Sequence, residues 1–313
     1  MARKPRIHFP GAFYHVILRG NAGQSVFIDD SDRYRYYLLM QEATVKFGCR
    51  IHAFCCMTNH IHIVLQVGTL PLSRIMQNLT LRYTAWINKK YRRTGHVFQG
   101  RYKAILLDAD SYLLELVRYI HLNPVRAGIV SQPADYPWNG HLSYLGKEVI
   151  PWLTTELVLS QFSAEISQAR KSYYEFVLAG MGESRRTEFH TGSLEGRILG
   201  DDRFADEVLQ KAEQLRYYPK SLEEIVETVC LHYNISLAEL AAVGKTKPGA
   251  EVRTLLALLI RESPDHSLTE LGMLLKRDVA SLSQSARRLA GKMDLNSVLA
   301  QLVKDLRLGL NIV

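Results

Sequence analysis

The chain has 313 residues, of which 47% are hydrophobic, so it is long enough for two domains with a sizeable core. No run approaches the ~18 apolar residues of a membrane helix, and the basic start MARKPRIHFPG lacks the apolar segment of a signal peptide. The 4 cysteines form neither a disulfide framework nor a paired CxxC zinc pattern, so we expect a reduced, cytoplasmic protein.

Positive charge is concentrated in the first part of the chain. Residues 1–130 hold 18 lysines and arginines against 7 aspartates and glutamates, a net charge of +11. The remaining 183 residues hold 21 and 24, a net charge of −3. A polyanionic partner therefore suits the first part, and nucleic acid suits it better than a membrane, because no basic amphipathic helix dominates. The alternative is a basic surface that binds nothing.

Hydrophobic periodicity and turn residues predict the order strand, helix, strand, strand, helix, strand, followed by one more helix. Strands are expected at residues 12–19, 50–57, 60–67 and 101–107, and helices at 31–47, from Pro71 to the segment KKYRRTG, and from Asp110 or Ser111 to about His121. This order is that of the ferredoxin-like βαββαβ fold, an antiparallel sheet with helices packed on it. The fold class predicted for about residues 10–130 is therefore α+β.

Beyond residue 130 the pattern changes. Helical segments are expected near 155–180 and 203–216, and between them the polar, glycine-rich stretch GMGESRRTEFHTGSLEGRILGDD is typical of a flexible connection. From Ser221 onward, helical segments joined by short loops predict an all-α region. We therefore expect a basic domain at 1–130, a helical extension and linker at 131–218, and a helical domain at 219–313.

Two histidines lie two residues apart in the predicted strand MTNHIHIVLQV. Because alternate residues of a strand share a face, His60 and His62 lie together, on the opposite side from Ile61 and Ile63. Two imidazoles at this spacing can share a divalent metal ion. The alternative is a structural role, since a His-x-His pattern is common by chance.

A tyrosine lies near the end of the last helix of the basic region, in RYIHLNPVRAG. Tyr119 and Asn123 share a helix face if the helix continues to Asn123 despite Pro124, and Tyr112 lies on the same face. A phenol with a pKa of ~10 is a poor nucleophile unless a metal and a basic site stabilise its phenolate. Tyr119 is the preferred nucleophile and Tyr112 the second choice; the alternative is a core or surface tyrosine.

Several motifs occurring in register resemble a known family. NHIHIV fits the His-hydrophobic-His motif of the HUH endonucleases. With HVILRGN, HVFQGRYKA and YIHLNPVRAG, it resembles the REP-associated tyrosine transposases, which are relatives of the single-tyrosine insertion-sequence transposases. The resemblance covers about residues 6–150, and the fold of that class agrees with the ferredoxin-like order predicted above.

The resemblance implies a metal-dependent endonuclease and strand transferase that acts on single-stranded, REP-like hairpin DNA. His60, His62 and Asn123 would hold Mg²⁺ or Mn²⁺. Tyr119 would attack the scissile phosphate and leave a 5′-phosphotyrosine link and a free 3′-OH. The protein would be associated with the nucleoid, as a monomer or as a homodimer that exchanges the tyrosine helix.

Two alternatives to the enzyme remain open. A domesticated transposase could bind hairpin DNA or regulate without catalysis. An RNA-binding ferredoxin-like module would need stacking aromatics on the sheet face that carries the histidines, so it ranks last.

Basic and polar side chains of the same region are candidates for DNA contacts. Arg101 and Lys103 alternate on one strand face and suit backbone phosphates, with a solvated face as the alternative. The basic end of the second helix suits a DNA stem, and Asn21 could equally serve a turn. The candidates are Arg19, Asn21, Lys89, Lys90, Arg92, Arg93, Arg101 and Lys103.

The segment SLTELGMLLKRDVASLSQSARRL resembles the helix–turn–helix of the bacterial replication initiator DnaA. The resemblance implies that Ser267 begins the first helix and that the recognition helix runs from Val279 or Ala280 to Leu289. The implied DNA contacts are Ser281, Ser283, Gln284 and Arg287. The segment lacks the His-Thr-Thr element of that family, so DnaA-box specificity is not expected, and a purely structural or dimerising bundle is the alternative.

Overall fold

A computed structural model describes residues 7–184, 186–214, 220–242, 244, 248–263, 266–293 and 297–310. The chain divides into two compact units, residues 1–215 and 216–313, each with its own hydrophobic core. The predicted boundary between residues 218 and 219 lies outside the described residues. Within the described ranges, no helix is both long enough and apolar enough to cross a membrane.

The helices and strands are as follows. The strands are β1 (Phe13–Arg19), β2 (Arg50–Cys56), β3 (His60–Gln66), β4 (Lys103–Leu107) and β5 (Ile198–Leu199). The helices of the first unit are α1 (Asp30–Phe47), α2 (Leu72–Lys90), α3 (Ala109–His121), α4 (Asn123–Arg126), α5 (His141–Tyr144), α6 (Glu156–Leu159), α7 (Ile166–Ala179), α8 (Glu188–Thr191) and α9 (Asp202–Gln214). The helices of the second unit are α10 (Leu222–His232), α11 (Leu237–Ala241), α12 (Gly249–Glu262), α13 (Leu268–Leu274), α14 (Val279–Met293) and α15 (Ser297–Leu310).

The strands lie in the order β2-β3-β1-β4-β5. The predicted strands β1 to β4 pair antiparallel, as the ferredoxin-like order requires, so the α+β fold class is confirmed. β5 pairs parallel to β4 and was not predicted. It lies in the glycine-rich stretch for which the sequence predicts a flexible connection. Only two residues long, it is too short to produce a detectable alternation, but both of its residues are buried.

The two faces of the sheet are covered by different helices. Phe54 of β2 is paired with Ile63 of β3, and directly paired residues point to the same face. The ring of Tyr37 on α1 lies 5.1 Å from Phe54, so α1 packs on this apolar face. The opposite face carries His62, and the ring of Tyr119 on α3 lies 6.4 Å from it. The strand alternation thus places the histidines beneath α3.

The helix boundaries near the basic region differ from the expected ones by one or two residues. α3 begins at Ala109 after Asp108, earlier than the predicted cap at Asp110 or Ser111, and the Ser111 hydroxyl donates to the Asp108 carboxylate at 2.6 Å. Pro124 lacks the N–H that a continuous helix would need, so the chain starts a separate turn, α4, at Asn123. The turn nevertheless follows α3 directly through Leu122, which is helical (φ −86°, ψ −3°).

The start of α1 is fixed by a buried carboxylate. Asp29 and Asp32 form a reciprocal capping box, and the Asp32 side chain is fully buried. The Lys90 ammonium at the end of α2 donates to Asp29 and Asp32, in each case at 2.7 Å. The charge of Lys90 is therefore neutralised by carboxylates of its own chain, and its assignment to DNA contacts stays a prediction.

We expect Asp32→Ala to lower the free energy of unfolding by about 3 kcal/mol, because it leaves the backbone N–H groups of Ile28 and Asp29 without their acceptor and Lys90 without its buried partner. Urea denaturation followed by circular dichroism measures the change. The matched control is Asp30→Ala, two residues earlier in the same first turn of α1. The exposed Asp30 carboxylate pairs with Arg33 at 3.3 Å. We expect the control to cost less than about 1 kcal/mol. Equal losses in the two variants would contradict the buried role of Asp32.

Candidate active site

A pocket of about 590 Å³ opens where β1 ends and β3 begins. Five of the residues predicted from the sequence line it: Arg19, His60, His62, Tyr119 and Asn123. β3 supplies the histidines, α3 the tyrosine and α4 the asparagine. The ring centroids of His60 and His62 are 5.1 Å apart. The folded chain therefore brings the predicted nucleophile and the predicted metal ligands into one pocket.

Hydrogen bonding fixes which nitrogen of His60 is available to a ligand. Its Nδ1 lies 2.7 Å from the Oδ1 of Asn59. An amide oxygen can only accept, so Nδ1 of His60 donates. In the neutral imidazole the lone pair then lies on Nε2, the nitrogen on the far side of the ring.

A chain of hydrogen bonds fixes His62 in the same way. Nδ1 of His15 lies 2.8 Å from the carbonyl oxygen of Phe189 and must donate to it. Burial lowers the pKa of His15 to about 3, so the ring is neutral and its Nε2 accepts a hydrogen bond. Nδ1 of His62, 2.8 Å away, is the donor, which leaves the lone pair of His62 on Nε2. Burial also holds the pKa of His62 well below its usual value.

The donor chemistry of the two histidines fits a divalent metal ion. Metal-binding imidazoles donate their second N–H to a carbonyl or another acceptor, as His60 and His62 do here. Among the described residues there is no group of three or more histidine, cysteine, aspartate or glutamate side chains around a common point. The third predicted ligand, Asn123, and water would join the two imidazoles.

Asn123, the third predicted ligand, has an engaged oxygen. Its Oδ1 accepts from the Arg126 guanidinium at 3.2 Å, while its buried amide nitrogen has no hydrogen-bond partner among the described residues. A guanidinium and a metal ion would compete for the same oxygen. The fit of Asn123 to a metal is thus weaker than that of the two histidines.

Tyr119 is held from three sides. Its ring centroid lies 5.0 Å from that of Phe189, and the Arg126 guanidinium carbon lies 4.0 Å from the ring centre. The hydroxyl oxygen is 2.7 Å from Nε2 of His190. Arg126 also donates to the Tyr119 carbonyl, which ties α4 to the end of α3. Tyr112, the second choice for the nucleophile, is not part of the pocket lining.

Three residues of the pocket environment were missed by the sequence analysis: His15, Arg126 and His190. His15 and Arg126 belong to the quoted motifs HVILRGN and YIHLNPVRAG, but nothing in those motifs shows what they contact. Pairing of Ile17 with His62 brings His15 onto the histidine face, and this register is set only in the sheet. For His190, the one available signal was the apolar Phe189 within a polar stretch.

The remaining DNA-binding candidates of the first unit have different surroundings. Asn21 is exposed and lies in the 3₁₀ turn Asn21–Gly23. Lys103 of β4 is exposed and is paired with Ile17 of β1. Arg93 reaches Gln24 at 3.5 Å. Among the predicted DNA-binding cations of this unit, the exposed ones are Arg19, Lys89, Lys90, Arg92, Arg101 and Lys103.

The second unit contains the predicted pair of helices. Ser267 caps α13 in a reciprocal capping box with Glu270, as expected, and α14 extends past the predicted end at Leu289 to Met293. Leu282 and Ala286 of α14 face the core, and the exposed candidates are Ser281, Gln284 and Arg287, with Ser283 half-buried. The backbone N–H of Ser281 donates to Asp278 at 2.8 Å. This carboxylate adds negative charge at the end of the helix that would approach phosphates.

Comparison with known proteins agrees with both resemblances. Residues 9–123 match the family model described as "Transposase IS200 like", and residues 222–289 match "Bacterial dnaA protein helix-turn-helix". The resemblances inferred from the sequence motifs are thereby confirmed. No curated protein matches the chain. A solved structure described as "Structure of the REP associates tyrosine transposase bound to a REP hairpin" is similar at 17% identity and a TM-score of 0.41, over 49% of this chain and 92% of that chain.

Proposed function

We propose that this protein is a metal-dependent, single-tyrosine nuclease and strand transferase for single-stranded DNA, with REP-like hairpins as its substrates. The observation that carries the proposal is the shared pocket of Tyr119 and the two histidines, whose Nε2 lone pairs are both fixed by hydrogen bonds. The match of residues 9–123 to the IS200-like transposases supports the same class of chemistry.

His60 and His62 would hold Mg²⁺ or Mn²⁺ through Nε2, and Asn123 would join them if its oxygen were released from Arg126. When bound, the ion would draw electron density from the scissile phosphate. Arg19 is exposed at the pocket rim, where its guanidinium can bind a neighbouring phosphate of the backbone. The net charge of +11 in residues 1–130 favours single-stranded DNA in the same region.

The reaction of the chain's own residues starts at Tyr119. Its hydroxyl oxygen forms a bond to phosphorus while the bond from phosphorus to the 3′ oxygen breaks, which leaves a 5′-phosphotyrosine and a 3′-OH. Attack by a 3′-OH on the same phosphorus reverses the step and rejoins strands without an external energy source. Nicking and strand transfer are therefore two directions of one reaction.

The alternative proposal is a domesticated transposase that binds hairpin DNA without cutting it. One observation favours it: the Asn123 oxygen is engaged by Arg126 rather than available to an ion. The oriented histidines and the Tyr119 hydroxyl in the pocket favour the enzyme. A mere binding protein would not need these groups to remain together.

The two proposals differ in a covalent product. We expect the full-length protein to form an adduct with a 3′-labelled hairpin oligonucleotide in Mn²⁺, and to form none when EDTA replaces the metal. A denaturing gel separates the adduct from free and non-covalently bound DNA. Tight binding to the hairpin without any adduct in Mn²⁺ or Mg²⁺ would favour the non-catalytic alternative.

A further inference from the structure

His190 approaches the predicted nucleophile from a part of the chain outside residues 9–123, which match the transposase family model. It lies on the short helix α8, 71 residues along the chain from Tyr119. The neighbouring Phe189 is fully buried against the Tyr119 ring, and its carbonyl accepts from His15 of β1. These contacts fix the backbone of α8 next to α3 and the sheet.

Two salt bridges of Arg186 also connect α8 to α3. Arg186 contacts Glu188 of α8 at 2.5 Å and Glu115 of α3 at 2.9 Å. Its guanidinium carbon also lies 4.5 Å from the centre of the Phe189 ring. His190 is thus held against α3 by both charged and apolar contacts.

The Tyr119 hydroxyl has an acceptor for its proton in His190. Nε2 of His190 lies 2.7 Å from the hydroxyl oxygen, within hydrogen-bond distance. Arg19 and Arg126 are cations and cannot accept a proton. Glu183 also lines the pocket, but its carboxylate is paired with Arg118 at 2.5 Å.

We propose that His190 is the general base of the reaction, on the basis of the proposed nuclease function. As the Tyr119 oxygen bonds to phosphorus, its proton passes to Nε2 of His190, which becomes an imidazolium. The 3′ oxygen leaves with the electron pair of the broken bond and takes a proton from water. When a 3′-OH attacks the phosphotyrosine, it loses its proton to water, and His190 returns its own proton to the departing Tyr119 oxygen.

The test of this assignment compares His190→Gln with His190→Ala. Glutamine keeps a hydrogen-bonding side chain but is not a base, so we expect both variants to lower the single-turnover nicking rate by about 10²- to 10⁴-fold. Added imidazole should restore part of the rate of His190→Ala but none of Tyr119→Phe. Mn²⁺ affinity, measured by calorimetry without DNA, should be unchanged in both variants.

Two outcomes would overturn the assignment. Wild-type nicking by His190→Gln would show that the hydrogen bond alone matters, so that His190 positions the tyrosine. Loss of Mn²⁺ binding in the His190 variants would make the residue a metal ligand instead.

A second measurement does not depend on DNA cleavage. An arylsulfonyl fluoride modifies tyrosine faster when a base accepts the phenolic proton, and peptide mass spectrometry gives the rate at each site. In metal-free protein we expect Tyr119 to react at least tenfold more slowly in His190→Gln than in wild type, while the exposed Tyr34 reacts equally in both. Equal rates at Tyr119 would overturn the role of His190. Failure of the wild-type protein to form any DNA adduct would instead refute the nuclease function.

Discussion

Tyr119→Phe will abolish the covalent adduct between the protein and hairpin DNA, with a fall in the nicking rate on the order of 10⁴-fold or more. The substitution removes the hydroxyl oxygen that would bond to phosphorus. It keeps the ring, whose contacts with Phe189 and with the Arg126 guanidinium hold the end of α3. We therefore expect the variant to fold, bind Mn²⁺ and bind the hairpin as the wild type does.

The matched control is Tyr112→Phe, on the same helix but outside the pocket lining. It should nick at the wild-type rate. The nucleophile assignment would be wrong if Tyr119→Phe formed the adduct normally, or if the loss occurred in Tyr112→Phe instead. Because Tyr119 and the histidines of one chain share one pocket, mixing Tyr119→Phe with His60→Ala protein should restore no activity.

The second large effect concerns the metal. We expect His62→Ala to weaken Mn²⁺ binding by more than about 100-fold and to remove the adduct, since even residues that only orient a ligand contribute 10- to 100-fold. The remaining ligand set would consist of one imidazole and an amide whose oxygen is held by Arg126. Isothermal calorimetry with Mn²⁺ in the absence of DNA measures the affinity directly.

His52→Ala provides the control for removing a buried imidazole from the same sheet. His52 lies on β2, is as buried as His62, and contacts Gln66 at 3.1 Å, away from the pocket. It should retain Mn²⁺ binding even if its stability falls, which thermal melting will report. Unchanged Mn²⁺ affinity in His62→Ala would remove the histidine pair from the metal site.

Local sequence patterns were sufficient to predict the ferredoxin-like order of β1 to β4. Apolar alternation in FYHVILR and HIHIVLQ and the helical spacing of α2 depend on residues close together in the chain. β5 and α8 were not predicted, because each is only two to four residues long and is ordered by burial against α3 and β4. Tertiary packing determined their structure, which local periodicity cannot reveal.

The candidate site was predictable in its centre but not in its surroundings. The family resemblance carried by NHIHIV, YIHLNPVRAG and two further motifs grouped His60, His62 and Tyr119 as one site. The hydrogen bond between His15 and His62 depends on the register of two paired strands. The hydrogen bond between Tyr119 and His190 joins residues that are 71 positions apart in the sequence, so it depends on the tertiary fold. Lys90 belongs to a basic cluster that was predicted to contact DNA. The sequence of that cluster does not indicate that the carboxylates of Asp29 and Asp32, at the start of α1, neutralise the Lys90 charge.

The central claim is that the Tyr119 oxygen becomes linked to DNA, and the direct test is mass spectrometry of the adduct. The wild-type protein is incubated with the hairpin in Mn²⁺, the adduct is digested with nuclease and protease, and the modified peptide is sequenced. We expect a nucleotide joined through its 5′ phosphate to Tyr119. A nucleotide on another residue, or nicked DNA with free 5′ phosphates and unmodified protein, would contradict the claim.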